Sequence, residues 1–210
     1  MSSRPSEGSL TSSQPFGKLA EALGGMLLDV ASHAVPQSDE QVPAAVLVPL
    51  YVHDGELRVV LTRRRPDLRR HAGEISFPGG RRDPEDATLT DTALREAEEE
   101  IGLSRETVSV VGALERTSTF ATNYAIHPFV GLLAGERAWR ASELEVDAVL
   151  EPTLREVRGG RTKTRMERRG IAFETDAYVF DGELVWGATA RILERLFSRI
   201  ESLLDRRATW

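Results

Sequence analysis

From Ala44 to Arg64 the chain reads AAVLVPLYV, then HDGE, then a stretch ending LRVVLTRR. No other part restricts the fold so strongly. The apolar run is a strand by pattern, Asp54-Gly55 supplies a tight turn, and the residues after it read as the returning strand. The run is too short to cross a bilayer and contains Pro49.

Further strands are predicted in VSVVGALE (108–115), in IHPFVGLL (126–133) and in TRMERRGIAFETDAYVF (164–180), the last split by Gly170. GATARILERLFSRIESLL (187–204) places apolar residues at 192, 193, 196, 197, 200, 203 and 204, the spacing of a helix. A second amphipathic pattern runs from Phe16 and predicts a helix over 16–36, weakened in its middle by Gly24 and Gly25. Residues 1–15 are Ser-rich and interrupted by proline, and are expected to be a disordered tail. Residues 43–205 are expected to form one domain. There is no internal repeat. Strands and hairpins flanked by a few helices predict an α/β architecture, a mixed β-sheet sandwiched between α-helices.

Composition narrows the function. The chain has 210 residues, 40% hydrophobic and 29% charged, which suits one soluble domain with a real core. A net charge of −6 does not imply a nucleic-acid surface, so any anion site must be built locally. There is no cysteine, which excludes disulfides, a thiol nucleophile and thiolate zinc sites and fits a reducing compartment. The four histidines are too dispersed in sequence to suggest a local metal cluster. No secretory signal or membrane-spanning run is present, and the cytoplasm is the expected location.

The stretch FPGGRRDPEDATLTDTALREAEEEIGL (77–103) carries the chemistry. In a helix, Leu94, Ala97 and Ile101 fall within roughly 60° and form the expected buried stripe, while Glu96, Glu99 and Glu100 share a sector of roughly 100° elsewhere. Thr90 or Asp91 can cap the start, and Gly102 can stop the helix in a left-handed conformation. Like charges four apart repel, and Arg95 is the one basic residue between Asp83 and Arg105. Most glutamate runs are simply solvated faces. The alternative is that three carboxylates converge on a hard divalent cation. Upstream, Gly79 and Gly80 allow backbone to approach a ligand closely.

Gly80, Asp86 and the run Arg95-Glu96-Ala97-x-Glu99-Glu100-Ile101-Gly102-Leu103 resemble the Nudix box, a loop–helix–loop that binds divalent metals and hydrolyses nucleoside diphosphates linked to another moiety. The chain departs twice from the general pattern: Asp86 stands where glutamate is usual, and one extra residue precedes Arg95. The resemblance implies the Nudix fold, Mg²⁺ or Mn²⁺ held by Glu96, Glu99, Glu100 and the Gly79 carbonyl, and catalysis by Glu99 with Arg95 and Glu96. Glu99 is the first choice of base, since Arg95 four residues earlier can orient it. Glu143 and Glu145 are candidates from a distant loop.

VLTRRRPDLRRHAGEISFPGG (60–80), TSTFATNYAIHPFVG (117–131) and VWGATARIL (185–193) are similar to segments of the coenzyme A diphosphatases. That resemblance implies a nucleotide substrate of the coenzyme A type, contacted by Arg64, Arg69, His71 and Gly80. Arginine's planar fork suits phosphate oxygens. A second basic run, 155–169, reads more simply as a solvated hairpin, and Trp186 as a core anchor rather than a base-stacking platform. Nucleic acid and membranes are not expected partners. A homodimer stays open, as do an ADP-ribose or dinucleotide substrate and a non-catalytic nucleotide sensor.

Overall fold

The computed structural model describes residues 13–33, 41–68, 72–119, 123–135, 137–168 and 170–205. Helix α1 (Ser13–Gly24) and a single 3₁₀ turn (Val30–His33) precede β1 (Val42–His53), β2 (Glu56–Val59), β3 (Leu61–Arg64), β4 (Ile75–Ser76) and β5 (Gly79–Arg81). Then come α2 (Leu89–Ile101), β6 (Val108–Ala113), β7 (Thr117–Ser118), β8 (Tyr124–Leu133), β9 (Val146–Leu150) and α3 (Leu154–Gly159). The chain continues with β10 (Arg161–Arg168), β11 (Ile171–Phe180), β12 (Glu183–Trp186) and α4 (Gly187–Leu204).

The central sheet runs β2-β1-β8-β6, with β5 also on β1 and β7 also on β8. Strands β1 and β8 are parallel and the other pairings antiparallel, so the sheet is mixed. Alternation along β1 divides the core: Ala45, Leu47 and Tyr51 pack towards α2, whereas Val48 and Leu50 pack towards α1 and α4. The mixed sheet between helices matches the expected architecture.

The hairpin turn is as predicted, with Asp54 at φ 52° and Gly55 at φ 74°. The returning strand, however, is two strands. After Leu50↔Val59 the next rung would pair Pro49 with Val60. Val60 N–H reaches Pro49 O at 3.0 Å, but proline has no N–H to return the bond. The chain peels away there, and β3 joins a second sheet, β4-β3-β9. The hairpin β10–β11 turns at Gly170, and α4 covers the predicted residues.

The helix expected over 16–36 is shorter. It ends at Gly24, and the next residues turn so that Leu28 pairs with Ala113 at the sheet edge. Two adjacent glycines lower the cost of leaving the helix. Leu19 and Leu23 are fully buried nonetheless, so α1 belongs to the core. Residues 1–12 and 34–40, which include most of the expected tail and the end of the expected helix, lie outside the described residues.

Candidate active site

Helix α2 starts earlier than the caps expected at Thr90 or Asp91. Thr88 is the cap: its hydroxyl accepts from Asp91 N–H at 3.1 Å, and Asp91 accepts from Thr88 N–H at 3.0 Å. This reciprocal box satisfies two otherwise orphaned donors. Gly102, at φ 67°, ends the helix as expected. The buried face is Leu89, Ala93, Ala97 and Ile101; Leu94 lies at its margin. That rotation matters, because Glu100 falls inside the buried face and is only 6% exposed.

The three glutamates therefore live in different surroundings. Glu99 is exposed and accepts from Arg95 Nη1 at 3.0 Å. Glu96 is half-buried and accepts from the same nitrogen at 3.1 Å. Glu100 is held by the Gly79 N–H, and its Oε2 is buried without a hydrogen-bond partner. Desolvation and the Glu96 carboxylate push Glu100 up to about 8, with Glu145 adding to the shift and Arg64 opposing it. Glu96 is also raised, mainly by burial.

Arg95 is the pin of the loop. Its Nε and Nη2 each lie 3.0 Å from one oxygen of the buried Asp86, and Nη2 also reaches Arg81 O at 3.2 Å. Asp86 also accepts from Asp83 N–H and from the Thr92 hydroxyl. Arg95 thereby fixes the loop carrying Gly80 against the helix carrying the glutamates. Gly79 pairs with Val46 and Gly80 with Ala45 on β1. At Gly80 a Cβ would collide with the Glu96 carboxylate; at Gly79, where φ is 156°, it would strike the β1 backbone.

Glu145 comes to this site from the loop after β8. Two free carbonyls at the end of α2 explain why: Ser142 N–H donates to Glu100 O at 2.8 Å and Arg140 N–H to Ile101 O at 2.9 Å. Arg64 stands between the carboxylates, 3.3 Å from Glu145 and 4.0 Å from Glu100. Glu143, the other loop candidate, is exposed, and its carbonyl accepts from Arg65.

Several arginines of the basic run are already engaged. Arg63 bonds Asp147 and Glu183, Arg65 bonds Asp67, and Arg82 donates to Asp86 O. Arg69 and His71, both expected at the substrate, lie outside the described residues, as does Arg70. Trp186 is half-buried and precedes α4, opposite Ala177.

Among the described residues, no three acidic or histidine side chains already stand together as a ligand set. Arg95 draws Glu99 outward, and Arg64 engages Glu145. The donor chemistry nevertheless fits a hard cation: oxygen ligands, a buried unpartnered carboxylate oxygen at Glu100, and neighbouring carboxylates that raise its proton affinity.

Comparison with known proteins agrees with this geometry. The NUDIX domain family matches residues 41–165. The chain is 39% identical over 159 residues to the uncharacterized Nudix hydrolase NudL of Salmonella paratyphi B, covering 75% of this chain and 82% of that protein. The same protein of Salmonella newport matches equally. A MutT/nudix family protein from Enterococcus faecalis has a similar fold, with a TM-score of 0.55 at 17% identity, over 93% of this chain and 76% of that one. The Nudix domain of Shewanella oneidensis NrtR, solved with ADP ribose, gives 0.51 at 16%, over 83% and 96%. With this domain match and these relatives, the chain belongs to the Nudix hydrolases, a family acting on nucleoside diphosphate derivatives.

Proposed function

We propose that the protein hydrolyses the diphosphate of coenzyme A or one of its derivatives, with Mg²⁺ or Mn²⁺, releasing 4′-phosphopantetheine and adenosine 3′,5′-bisphosphate. The observation that carries the chemistry is Glu100, a buried carboxylate with one oxygen unpartnered, set against Gly79 N–H and beside Glu96. The choice of coenzyme A rests on the likeness of 60–80, 117–131 and 185–193 to coenzyme A diphosphatases.

In this reading Glu96, Glu99, Glu100 and the Gly79 carbonyl hold the metal. When bound, such a metal offsets charge on phosphoryl oxygens and lowers the pKa of a coordinated water. Glu99, steadied by Arg95, accepts the proton of the attacking water; Glu145 is the second candidate. The water oxygen bonds to phosphorus as the bridging P–O bond breaks, and the bridging oxygen leaves with the other phosphate. Arg64, Arg69 and His71 meet phosphate oxygens, and Gly80 lets the backbone come close. Residues 43–205 form the catalytic unit, with α1 packed on it. The absence of cysteine accords with a cytoplasmic location.

A substrate panel tests this directly: coenzyme A, acyl and oxidised forms, ADP-ribose and a dinucleotide, each with Mg²⁺ and Mn²⁺, products resolved by chromatography. Coenzyme A or a derivative should have the highest kcat/KM. Faster cleavage of ADP-ribose would remove the coenzyme A assignment and leave the diphosphatase chemistry. Binding without cleavage of any of them would favour a sensor.

A further inference from the structure

Arg64 faces carboxylates, although the proposed function gives it phosphate to meet. Its Nη1 lies 3.3 Å from Glu145 Oε2 and 4.0 Å from Glu100 Oε1. Among the described residues it is the only cation within 4.0 Å of either one. Glu100 is a proposed metal ligand, so Arg64 and a divalent cation are drawn to the same negative charge. The two cations repel each other, and neither can be held there at full strength while the other stays.

The way Arg64 is held separates it from its neighbours. Its backbone is fixed: Arg64 N–H donates to Glu74 O at 3.0 Å, and Gly73 N–H donates to Arg64 O at 3.2 Å. The β3–β9 pairing shifts register between Arg63 and Arg64, an irregularity of the kind that re-aims a side chain. The guanidinium, by contrast, is loosely held. Its one hydrogen bond to a described residue is the long contact to Glu145, and its Nε is buried without a partner.

The other arginines nearby are committed. Arg95 bonds Asp86, Glu96, Glu99 and Arg81 O. Arg63 bonds Asp147 and Glu183, and Arg65 bonds Asp67. Only Arg64 combines a fixed base with a weakly bonded head. One long bond uses one of a guanidinium's five N–H donors, so little holds the group against a competitor. A divalent cation carries twice the charge and prefers carboxylate oxygens. A guanidinium set loose beside a diphosphate finds bidentate partners there.

We propose that Arg64 is an exchangeable counter-ion. It neutralises Glu100 and Glu145 in the protein alone, is displaced when a divalent metal binds at α2, and so becomes available to the phosphate oxygens of the substrate. The proposal rests on the metal reading above and deepens it, since it gives Arg64 two successive partners and couples metal binding to phosphate recognition.

The first test is Mn²⁺ titration of the substrate-free protein, followed by electron paramagnetic resonance, in wild type, Arg64→Gln and Arg65→Gln. Arg64→Gln should bind Mn²⁺ at least about fivefold more tightly, because nothing then competes for the carboxylates. Arg65→Gln removes the same charge from the same run and should change the affinity less than about twofold. Unchanged or weaker binding in Arg64→Gln, or an equal gain in Arg65→Gln, overturns the competition. Displacement is read in wild type itself, so the proposal stays testable if Arg64→Gln does not fold. Phenylglyoxal, which modifies guanidinium groups, is applied with and without Mg²⁺, and the modified peptides are mapped by mass spectrometry. Mg²⁺ should speed modification of Arg64 severalfold and leave Arg65 unchanged, and saturating ADP added with Mg²⁺ should reverse the gain. No acceleration at Arg64 overturns the exchange, and a gain that ADP does not reverse overturns the hand-over to phosphate. Glu100→Gln separates the two readings. If it leaves Mn²⁺ affinity unchanged, the metal reading fails; if it weakens binding while Arg64→Gln changes nothing, only the exchange fails.

Discussion

Arg95 and Asp86 meet as two forks, Nε 3.0 Å from Oδ1 and Nη2 3.0 Å from Oδ2, and this contact joins the glycine loop to the glutamate helix. Asp86 is buried, and Arg95 beside it holds its carboxyl down to about 2. A carboxylate whose folded value lies below its ordinary one stabilises the fold fully above that ordinary value, near 4, and loses the contribution as pH falls through 2. Asp86→Asn should therefore cost about 2 kcal/mol at pH 7 and nearly nothing at pH 2. Urea denaturation across that range measures it; equal costs at both ends would contradict the ion pair's role.

Glu100 carries the opposite sign. Its folded value is raised to about 8, so the folded state holds a proton that the unfolded chain releases near the ordinary carboxylate value. Without metal, stability should fall as pH rises from about 5 to 8. Glu100→Gln should flatten that slope and raise metal-free stability at pH 8, by on the order of 2 kcal/mol. If Glu100 holds metal as proposed, the same change should lower turnover at least roughly a hundredfold. Denaturation in chelator, beside a turnover assay, gives both readings. Lower metal-free stability in the variant would count against the repulsion described here.

The two glycines should fail differently. Gly80→Ala drives a methyl against the end of a flexible Glu96 side chain, which can move, so folding should survive while turnover drops. Gly79→Ala drives it against Ala45 O and Val46 Cα at a left-handed φ, where backbone must give way. Melting temperatures and kcat for both variants check the contrast. A folded, fully active Gly80→Ala would show that the Glu96 position is not critical.

Leu23 on α1 is fully buried, and Leu23→Ala should cost about 2–5 kcal/mol while leaving kcat near wild type. Denaturant titration and a rate measurement decide it. Lost activity in a folded variant would instead mean that the N-terminal segment shapes the site.

Local chemistry made much of this legible from residues alone. Asp54-Gly55 implied the hairpin turn, Gly102 the end of α2, and apolar spacing the extent of α4. The motif names the box residues, and the loop names Glu143 and Glu145 together, of which Glu145 meets Arg64. What escaped depended on partners distant in sequence. The break between β2 and β3 follows from which residue sits opposite Pro49, a matter of register. Glu100's burial depends on how α2 is rotated against β1. Nothing in the basic run itself shows that Arg63 and Arg65 have acidic partners, Asp147 and Asp67, one of them far along the chain.

The claim that the carboxylates of α2 hold the divalent metal is tested most directly by Mn²⁺ titration of the metal-free protein, followed by electron paramagnetic resonance. The account predicts saturable binding in wild type, weakened at least tenfold in Glu100→Gln and in Glu96→Gln, with both variants folded. Unchanged Mn²⁺ affinity in those two variants would place the metal elsewhere and contradict the account.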